Sequence, residues 1–340
     1  MPREPESILV LRLGGIGEVL AITPALREVR ARFRRAWITL MAQRPAHEVA
    51  RGLVNEVVEA ESVYKAGMRS LLDPSLYREA AGLARRVLRR KYDLFLDFHH
   101  LFAWRHAFKP LLAAFLSRAP RRVGFGDGFF LTDRVPDPDD RPMVERNRPF
   151  LAALGIELSD PSPSLAVDPA DQAWADHLLE TLGIAGKPIV ALSPGSSRPV
   201  TRWGIERFSA AAQRLSPRGP VVVIGTAAER GLGDEVGAGS VNLAGLTTVG
   251  QLAALLRRCA LLVSNDSGPV HIARALGTPV VGIFRPREYL RWGSYGDARR
   301  FRALYREGPG AEEGRTLPLI AVDEVVRAAE ELLDANPPRP

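Results

Sequence analysis

The stretch "SNDSGPVHIARALG", residues 264–277, combines side chains that suit an anion-binding site. A short apolar run leads into Asp266, Ser267 and Gly268 at the start of a predicted helix, whose first N–H groups lack partners within the helix. Ser267 is the expected N-cap residue, with Asp266 and Gly268 as alternatives. His271 follows about one turn later, so its imidazole can face the same ligand. A buried structural histidine is equally compatible with this pattern.

Two further segments favour phosphate and ribose chemistry. In "SPGSSRPVTRWGIERF", residues 193–208, Gly195 and Ser196 follow a predicted buried strand and are joined by the cationic Arg198 and Arg202. This combination suits a phosphate or diphosphate. In "IGTAAERG", residues 224–231, Glu229 could accept hydrogen bonds from ribose hydroxyls, or it could be an exposed acid at a helix start.

A glycine-rich turn near the N-terminus carries one carboxylate. In "LRLGGIGEVLAITPAL", residues 11–26, Gly14, Gly15 and Gly17 allow a tight turn and a close approach by a ligand, and Glu18 follows them. An acid in the first turn of a helix is favoured by about 0.3–1 kcal/mol, which is enough to explain Glu18 without catalysis. The alternative is a catalytic base. The glycine spacing is not that of a dinucleotide-binding fingerprint.

The remaining candidate ligands do not form a metal or disulfide pattern. The sequence has no Cys/His cluster or H-E-x-x-H motif, so no metal is expected. Its single cysteine, Cys259, excludes an internal disulfide, fits a reducing compartment and is interpreted as a small buried apolar residue.

These loops are expected to lie on an α/β framework. Short apolar, β-branched runs alternate with helical patterns, which predicts doubly wound parallel sheets with ligand sites at the carboxyl ends of the strands. The predicted strands are 8–13, 37–42, 56–60, 93–98 and 121–125 in the first half and 188–193, 220–225, 240–245, 260–265 and 279–284 in the second.

The length of 340 residues favours two domains. A proline-rich stretch at 160–171 predicts the linker, which gives domains at 1–165 and 166–318. A final helix at 319–335 closes the fold, with packing back onto the first domain as one option. Its apolar stripe consists of Ile320, Val325, Val326, Ala329 and Leu332.

Most of the net charge of +7 lies in the first half, and residues 85–122 hold ten Lys or Arg and only two acids. Such a stretch suggests a polyanionic partner or a solvated helix face. The longest apolar runs are far too short for a membrane span, and "MPREPES" at residues 1–7 does not begin a signal peptide. We therefore expect a cytoplasmic protein.

Taken in order, these segments resemble glycosyltransferase family 9, the bacterial heptosyltransferases that add heptose from ADP-heptose to the lipopolysaccharide inner core. The resemblance covers almost the whole chain. The segments that carry it are "GGIGEVLAITPALREVRARF" (like the family's G-D-x-x-x-x-x-P-x-L opening), "RRVGF" followed by "VERNRPFLAALGI", "SPGSSRPVTRWGIERFSAAAQRL", and the run from "NLAGL" at 242 to "GIF" at 284.

The resemblance implies a GT-B fold, in which two Rossmann-like domains with parallel sheets face each other across a cleft. The N-terminal domain would bind the acceptor and the C-terminal domain the nucleotide sugar. The implied reaction is inverting, metal-independent transfer of a sugar, heptose from ADP-heptose, to a lipopolysaccharide inner-core or related cell-envelope acceptor. The donor is a substrate, and no cofactor is implied.

The resemblance also assigns roles to residues. Glu18 would be the general base, with Gly14, Gly15, Gly17 and Arg122 on the acceptor side. Ser196 and Arg202 would contact the diphosphate, Glu229 the ribose and Thr247 the nucleoside. The whole donor-binding set is Gly195, Ser196, Arg202, Glu229, Thr247, Asp266, Ser267, Gly268 and His271.

Three positions depart from the family pattern. Glu18 stands where the family has aspartate, Arg202 where it has lysine, and "FRPREY" at 284–289 replaces F-G-P-T. The glutamate keeps the carboxylate but displaces it by about one C–C bond, and a misplacement of about 1 Å can cost about 100-fold in rate.

These departures keep a second hypothesis open: a GT-B nucleotide-sugar-binding protein or epimerase-like enzyme without heptosyl transfer. Nucleic-acid binding is disfavoured because no recognisable module accompanies the basic stretch. That stretch is interpreted as docking to anionic inner-core phosphates or to the inner leaflet of the cytoplasmic membrane. The expected partners are thus a nucleotide sugar, a glycolipid or saccharide acceptor and a peripheral membrane contact, and the expected state is a monomer.

Overall fold

The computed structural model describes residues 4–60, 74–99, 108–138, 140–237, 239–293 and 295–337. The chain divides into two compact units, Met1–Ala166 and Val167–Pro340. Each unit is built around one parallel sheet of six strands, which confirms the predicted α/β class.

The first unit has the strand order β3-β2-β1-β4-β5-β6, and every pair is parallel. Its strands are β1 Ser7–Leu11, β2 Trp37–Ala42, β3 Glu56–Glu59, β4 Leu94–Asp97, β5 Arg121–Phe125 and β6 Asp133–Val135. Its helices are α1 Ile16–Arg32, α2 Pro74–Leu88, α3 Phe108–Ser117 and α4 Asn147–Ala152.

The central strand β1 explains why this sheet forms. All five residues of β1 are buried, and Val10 lies beside Leu40 of β2 and Leu96 of β4. A strand covered on both faces needs a continuous apolar run rather than alternation, and "SILVL" supplies it. The chain order reverses between β1 and β4, so the loops after these two strands open the crevice in which such sheets bind ligands.

The second unit repeats this order as β9-β8-β7-β10-β11-β12. Its strands are β7 Ile189–Ser193, β8 Val221–Val223, β9 Ser240–Asn242, β10 Cys259–Asn265, β11 Val280–Ile283 and β12 Phe301–Leu304. Its helices are α5 Pro169–Thr181, α6 Ile205–Leu215, α7 Arg230–Glu235, α8 Val249–Arg258, α9 Gly268–Leu276 and α10 Val322–Ala335, with short helical turns at Pro286–Glu288 and Tyr289–Gly293. Here the order reverses between β7 and β10.

The sequence analysis did not predict two edge strands, β6 and β12. Both are short and contain arginine ("DRV" and "FRAL"), and only one of their residues, Val135, is fully buried. An edge strand has a neighbour on one side only, so it needs no long apolar run. The predicted linker is also shorter than expected, because α5 begins inside it: Asp168 caps the helix by accepting from the Ala170 N–H at 2.9 Å.

The last helix, α10, packs on the second sheet. It contacts α6, β10, β11 and β12, and the predicted apolar stripe is buried in the second unit's core. The Trp203 indole N–H donates to the Ile320 carbonyl at 2.9 Å just before the helix. The predicted stripe is thus buried within the second unit, where α6 and the second sheet supply the apolar surface that it needs.

Candidate functional site

Glu18 lies in the first turn of α1, at the carboxyl edge of the first sheet. Its Oε2 accepts the Gly15 N–H at 2.9 Å, which satisfies one of the free donors at the helix start. Its Oε1 lies 3.5 Å from Arg12 Nη2, and its side chain is 42% exposed. Glu18 therefore does act as a helix-start acid, and its carboxylate is held in a defined orientation while it remains open to solvent.

The glycine turn brings this carboxylate close to the backbone. A Cβ atom at position 14 would lie 1.9 Å from Glu18 Oε2, whereas a Cβ atom at position 15 would meet nothing within 4 Å. Gly14 is thus required by the folded-back side chain of Glu18, and Gly15 is the N-cap residue with an ordinary extended backbone.

Residues at the end of β4 meet this turn, and the sequence analysis did not single them out. The Leu13 N–H donates to His99 Nε2 at 2.8 Å, and His99 Nδ1 lies 2.8 Å from Oδ1 of the fully buried Asp97. Arg12 is also buried and donates from Nη1 to the Phe98 carbonyl at 2.5 Å. A useful signal was available: "LRL" and "LDFHH" both end buried strands with charged or titratable residues.

Arg122, by contrast, is not brought to this edge. It pairs with Phe95 in the register of β4 and β5, two residues before the end of β4. Its Nε donates to the Phe130 carbonyl at 2.5 Å, and Nη1 donates to the Ala119 carbonyl at 3.3 Å. These backbone acceptors engage Nε and Nη1 of its guanidinium within the first unit, and its acceptor-side role stays a prediction.

At the carboxyl edge of the second sheet, Asn265 joins the loops that follow β7 and β10. Its Nδ2 donates to the Pro194 carbonyl at 2.7 Å, and its Oδ1 accepts the Trp203 N–H at 2.9 Å. The side chain is fully buried. Asn265 thus holds the 193–203 loop beside the 264–268 turn, a role that the sequence analysis missed because the partners lie 62 and 71 residues away.

Glu229 repeats the arrangement seen at Glu18. It accepts from the Thr226 N–H at 2.8 Å and the Thr226 hydroxyl at 2.9 Å, and it lies over Gly195, where a Cβ atom would be 2.2 Å from Oε1. The loop that follows β9 lies beside the loop that follows β8, because the Gly245 N–H donates to the Gly225 carbonyl at 2.9 Å. Half-buried Thr247 follows in that loop.

Ser196 and Arg202 belong to one hydrogen-bonded loop. The buried Ser196 hydroxyl donates to the Arg198 carbonyl and accepts from Thr201, both at 2.8 Å, while Arg202 Nη2 donates to the Ser196 carbonyl at 3.1 Å. The Ser196 hydroxyl is therefore already engaged with its own loop. The Nε of Arg202 is buried without a hydrogen-bond partner in the part of the chain that the structure describes.

The residues that replace the family's F-G-P-T form an ionic cluster beside this loop. Arg285, which is 7% exposed, pairs with Glu288, and Arg198 Nη2 lies 3.5 Å from the same Glu288 oxygen. Glu288 Oε2 is buried without a partner. The cluster links the segment after β11 to Arg198.

The turn before α9 differs from the predicted cap. Ser267 is the N-cap residue, but its hydroxyl donates to the Asn265 carbonyl at 3.2 Å rather than capping the helix, and α9 has no side-chain cap bond. Asp266 Oδ1 lies 3.6 Å from His271 Nε2, and the imidazole centroid lies 4.9 Å from that of Trp292 with the two rings tilted by 58°. His271 is buried, and its Nδ1 has no partner among the described residues. In the first turn of α9, Pro269 has no N–H and the Val270 N–H donates to the Ser267 carbonyl at 3.1 Å, which leaves the Gly268 N–H at the helix start.

The structure therefore brings the nine predicted donor-side residues to one edge of the second sheet, and Glu18 with its glycines to the same edge of the first sheet. Within the described residues, no group of three or more His, Cys, Asp or Glu could hold a metal ion. In that same part of the chain, no helix is both long and apolar enough to span a bilayer.

Cys259 lies elsewhere, at the start of β10. Complete burial raises the pKa of its thiol to about 12. It lines a crevice of about 500 Å³ at the amino end of the second sheet, opposite the edge that carries the candidate site. These observations support its interpretation as a small apolar residue.

A family model decides the assignment: the model of glycosyltransferase family 9 (heptosyltransferase) matches residues 81–318, well over half of the chain. The chain belongs to glycosyltransferase family 9. As a member of this family it is a glycosyltransferase, and the resemblance seen in the sequence is confirmed.

Individual relatives agree with this. The lipopolysaccharide core heptosyltransferase OpsX of Haemophilus influenzae is 24% identical over 331 residues, covering 92% of this chain and 88% of the relative. Lipopolysaccharide heptosyltransferase 2 of Escherichia coli is 27% identical over 306 residues, 82% of each chain. The crystal structure of a family 9 glycosyltransferase from Veillonella parvula superposes with a TM-score of 0.81 at 22% identity, over 96% of this chain and 97% of that one. The fold is therefore GT-B, with two Rossmann-like domains.

Proposed function

We propose that this family 9 glycosyltransferase transfers heptose from ADP-heptose to a lipopolysaccharide inner-core or related cell-envelope acceptor, with inversion and without a catalytic metal. The curated relatives named above are lipopolysaccharide heptosyltransferases, which supports the choice of sugar and acceptor. The observation that carries the proposal is the basic carboxyl edge of the second sheet, where Arg202 and Arg198 lie beside the start of α9. The first unit separately holds an oriented, solvent-open carboxylate, that of Glu18.

In the proposed step, Glu18 accepts the proton of an acceptor hydroxyl while that oxygen attacks the anomeric carbon. The new C–O bond forms as the bond to the diphosphate breaks, and ADP leaves with its electron pair. Attack from the face opposite the leaving group inverts the anomeric configuration. The Glu18 carboxylate suits this role because only one of its oxygens is fully engaged with backbone, and the other is shared with Arg12 at 3.5 Å.

Departure of the diphosphate requires positive charge. Arg202, Arg198 and the N-terminus of α9 with its Gly268 N–H lie at the carboxyl edge of the second sheet, where they can stabilise the developing charge. Glu229 would bind the ribose through its oxygen over Gly195, and Thr247 would lie against the nucleoside. We base the proposed metal independence on these cationic and N–H donors.

The acceptor would be reached at a membrane surface, at the inner leaflet. Exposed Arg85 and Arg89 lie close in the chain to the exposed Leu88, and exposed Arg118 follows Phe115, which is 79% exposed. Arg118 Nη2 donates to the Leu88 carbonyl at 3.0 Å, which ties the ends of α2 and α3 together. Arginines around an exposed aromatic side chain favour an anionic bilayer, since each contributes about 1 kcal/mol near such a surface.

The decisive experiment incubates the protein with ADP-heptose, with and without a heptose-deficient lipopolysaccharide acceptor, in the presence of EDTA. We expect acceptor-dependent ADP release and a product of inverted anomeric configuration by NMR. ADP release without a glycosylated product, an epimerised sugar nucleotide, or activity abolished by EDTA and restored by a metal would each contradict part of the proposal. Co-sedimentation that is equal on neutral and anionic vesicles would remove the membrane contact.

A further inference from the structure

The ends of β1 and β4 exchange side-chain hydrogen bonds with each other's backbone. Arg12, which follows β1, donates from Nη1 to the carbonyl of Phe98, which follows β4. In return, His99 Nε2 accepts the Leu13 N–H at 2.8 Å. These residues lie 86 positions apart in the chain, so the exchange clamps the two loops at the point where the strand order reverses.

Each half of this clamp is itself fixed. Asp97 is fully buried, and its Oδ1 accepts from His99 Nδ1 at 2.8 Å and from the His99 N–H at 3.0 Å. Because Nδ1 of the His99 ring faces Asp97, Nε2 is the ring nitrogen that faces Leu13, 2.8 Å from its N and 3.1 Å from its carbonyl oxygen. Burial restrains the Arg12 side chain, of which only 3% is exposed.

Arg12 connects the clamp to Glu18 through an ion pair. While Nη1 of Arg12 binds the Phe98 carbonyl, Nη2 lies 3.5 Å from Glu18 Oε1, and Glu18 Oε2 accepts the Gly15 N–H. The carboxylate is therefore oriented from two sides: by the backbone of its own turn, and by a buried cation anchored to β4.

We propose that Arg12 and His99 are positioning residues that hold the Glu18 carboxylate in its reactive orientation. This inference rests on the proposed function, in which Glu18 is the base. A longer side chain than the family's aspartate has one more torsion to restrain, and the Arg12 contact supplies that restraint.

The test compares Arg12→Met, Arg12→Lys, Glu18→Gln and the double variant Arg12→Met/Glu18→Gln in steady-state transfer, with ADP affinity measured by calorimetry. We expect Arg12→Met to lower kcat about 10- to 100-fold while ADP affinity stays unchanged. Arg12→Lys should recover part of this loss, because it keeps the charge without the fork. The double variant should be no slower than Glu18→Gln alone, because Arg12 acts through Glu18.

His99 is tested in parallel. His99→Gln keeps an acceptor for the Leu13 N–H and should retain more activity than His99→Phe, which has none. Arg30→Met is the matched control: Arg30 also binds a backbone carbonyl, that of Ala36 at 2.7 Å, but from the last turn of the same helix α1. It should lower stability without lowering kcat.

The outcomes distinguish the role of Glu18 as base from the role of Arg12 as a positioning residue. Wild-type turnover in Glu18→Gln would overturn the proposed base whatever Arg12 does. Loss of activity in Glu18→Gln with wild-type kcat in Arg12→Met would overturn the positioning role alone, as would a double variant whose loss is the product of the single losses. Should Arg12→Met not fold, Arg12→Lys decides: a kcat equal to wild type contradicts the inference, and a reduced kcat with unchanged ADP affinity supports it.

Discussion

The carboxylate of Glu18 lies directly over Gly14, so that a single methyl group on residue 14 would come within 1.9 Å of Glu18 Oε2. The second unit repeats the relationship, with Glu229 over Gly195 at 2.2 Å. In both units an acid at the third position of a helical turn accepts from backbone N–H groups and needs a glycine beneath it. Each acid therefore caps its own helical turn, and the proposed function gives the same side chain a ligand to bind.

The two glycines at 14 and 15 should respond differently to alanine. Gly14→Ala should displace the Glu18 carboxylate and lower kcat by about 100-fold or more, because the new Cβ occupies its position. Gly15→Ala meets no atom within 4 Å and has an allowed backbone conformation, so it serves as the control. Steady-state transfer assays on both variants test this, and equal losses in the two would show that the packing of Glu18 on Gly14 is not what matters.

Conservative changes at Glu18 separate its structural and chemical roles. Glu18→Gln keeps an acceptor for the Gly15 N–H, so the melting temperature should change by at most a few degrees, whereas kcat should fall by about 100-fold or more. Glu18→Asp restores the family's residue but shortens the reach to Gly15. Thermal unfolding and turnover measured on the same preparations test this, and a parallel fall in stability and rate in Glu18→Gln would assign Glu18 a structural role only.

We expect Asn265 to contribute both to the stability of the second unit and to its affinity for ADP. Asn265→Ala leaves the buried Trp203 N–H and Pro194 carbonyl without their partner, at a cost of about 1–3 kcal/mol for each unsatisfied group. ADP affinity should fall as well, since the two loops are no longer joined.

Asn336 provides the comparison for Asn265. Its Nδ2 also makes two bonds to backbone, to the Arg299 and Leu332 carbonyls, but at the amino edge of the second sheet. Asn336→Ala should therefore lower stability without changing ADP affinity. Chemical denaturation with calorimetry distinguishes these outcomes, and unaltered ADP affinity in Asn265→Ala would refute the coupling.

The thiol of Cys259 should be unreactive in the folded protein. Burial raises its pKa to about 12, so at pH 8 only about one molecule in 10⁴ carries the thiolate that attacks a disulfide reagent. Titration with Ellman's reagent should detect no fast-reacting thiol in the native state and one thiol in denaturant. Rapid labelling of native protein would contradict the complete burial of this side chain.

The sequence by itself determined the strand-helix alternation, the two sheets and the loops that carry the candidate ligand-binding residues. It could do so because buried parallel strands require continuous apolar runs such as "SILVL" and "PIVALS", and because their carboxyl ends meet at one edge. The edge strands β6 and β12 carry no such run, and only the tertiary structure, which pairs them with β5 and β11, identifies them as strands.

Only the tertiary structure decided which groups meet. The clamp between Arg12 and Phe98, its counterpart between His99 and Leu13, and the Asn265 bridge all join positions more than 60 residues apart. Spacing in the sequence cannot predict them, because they depend on how the strand order places distant loops side by side. The same is true of Arg122, whose position along β5 commits its guanidinium to nearby carbonyls. Local sequence patterns indicate which residue types lie in a loop. The strand order of the sheet then determines which of these residues come within hydrogen-bonding distance.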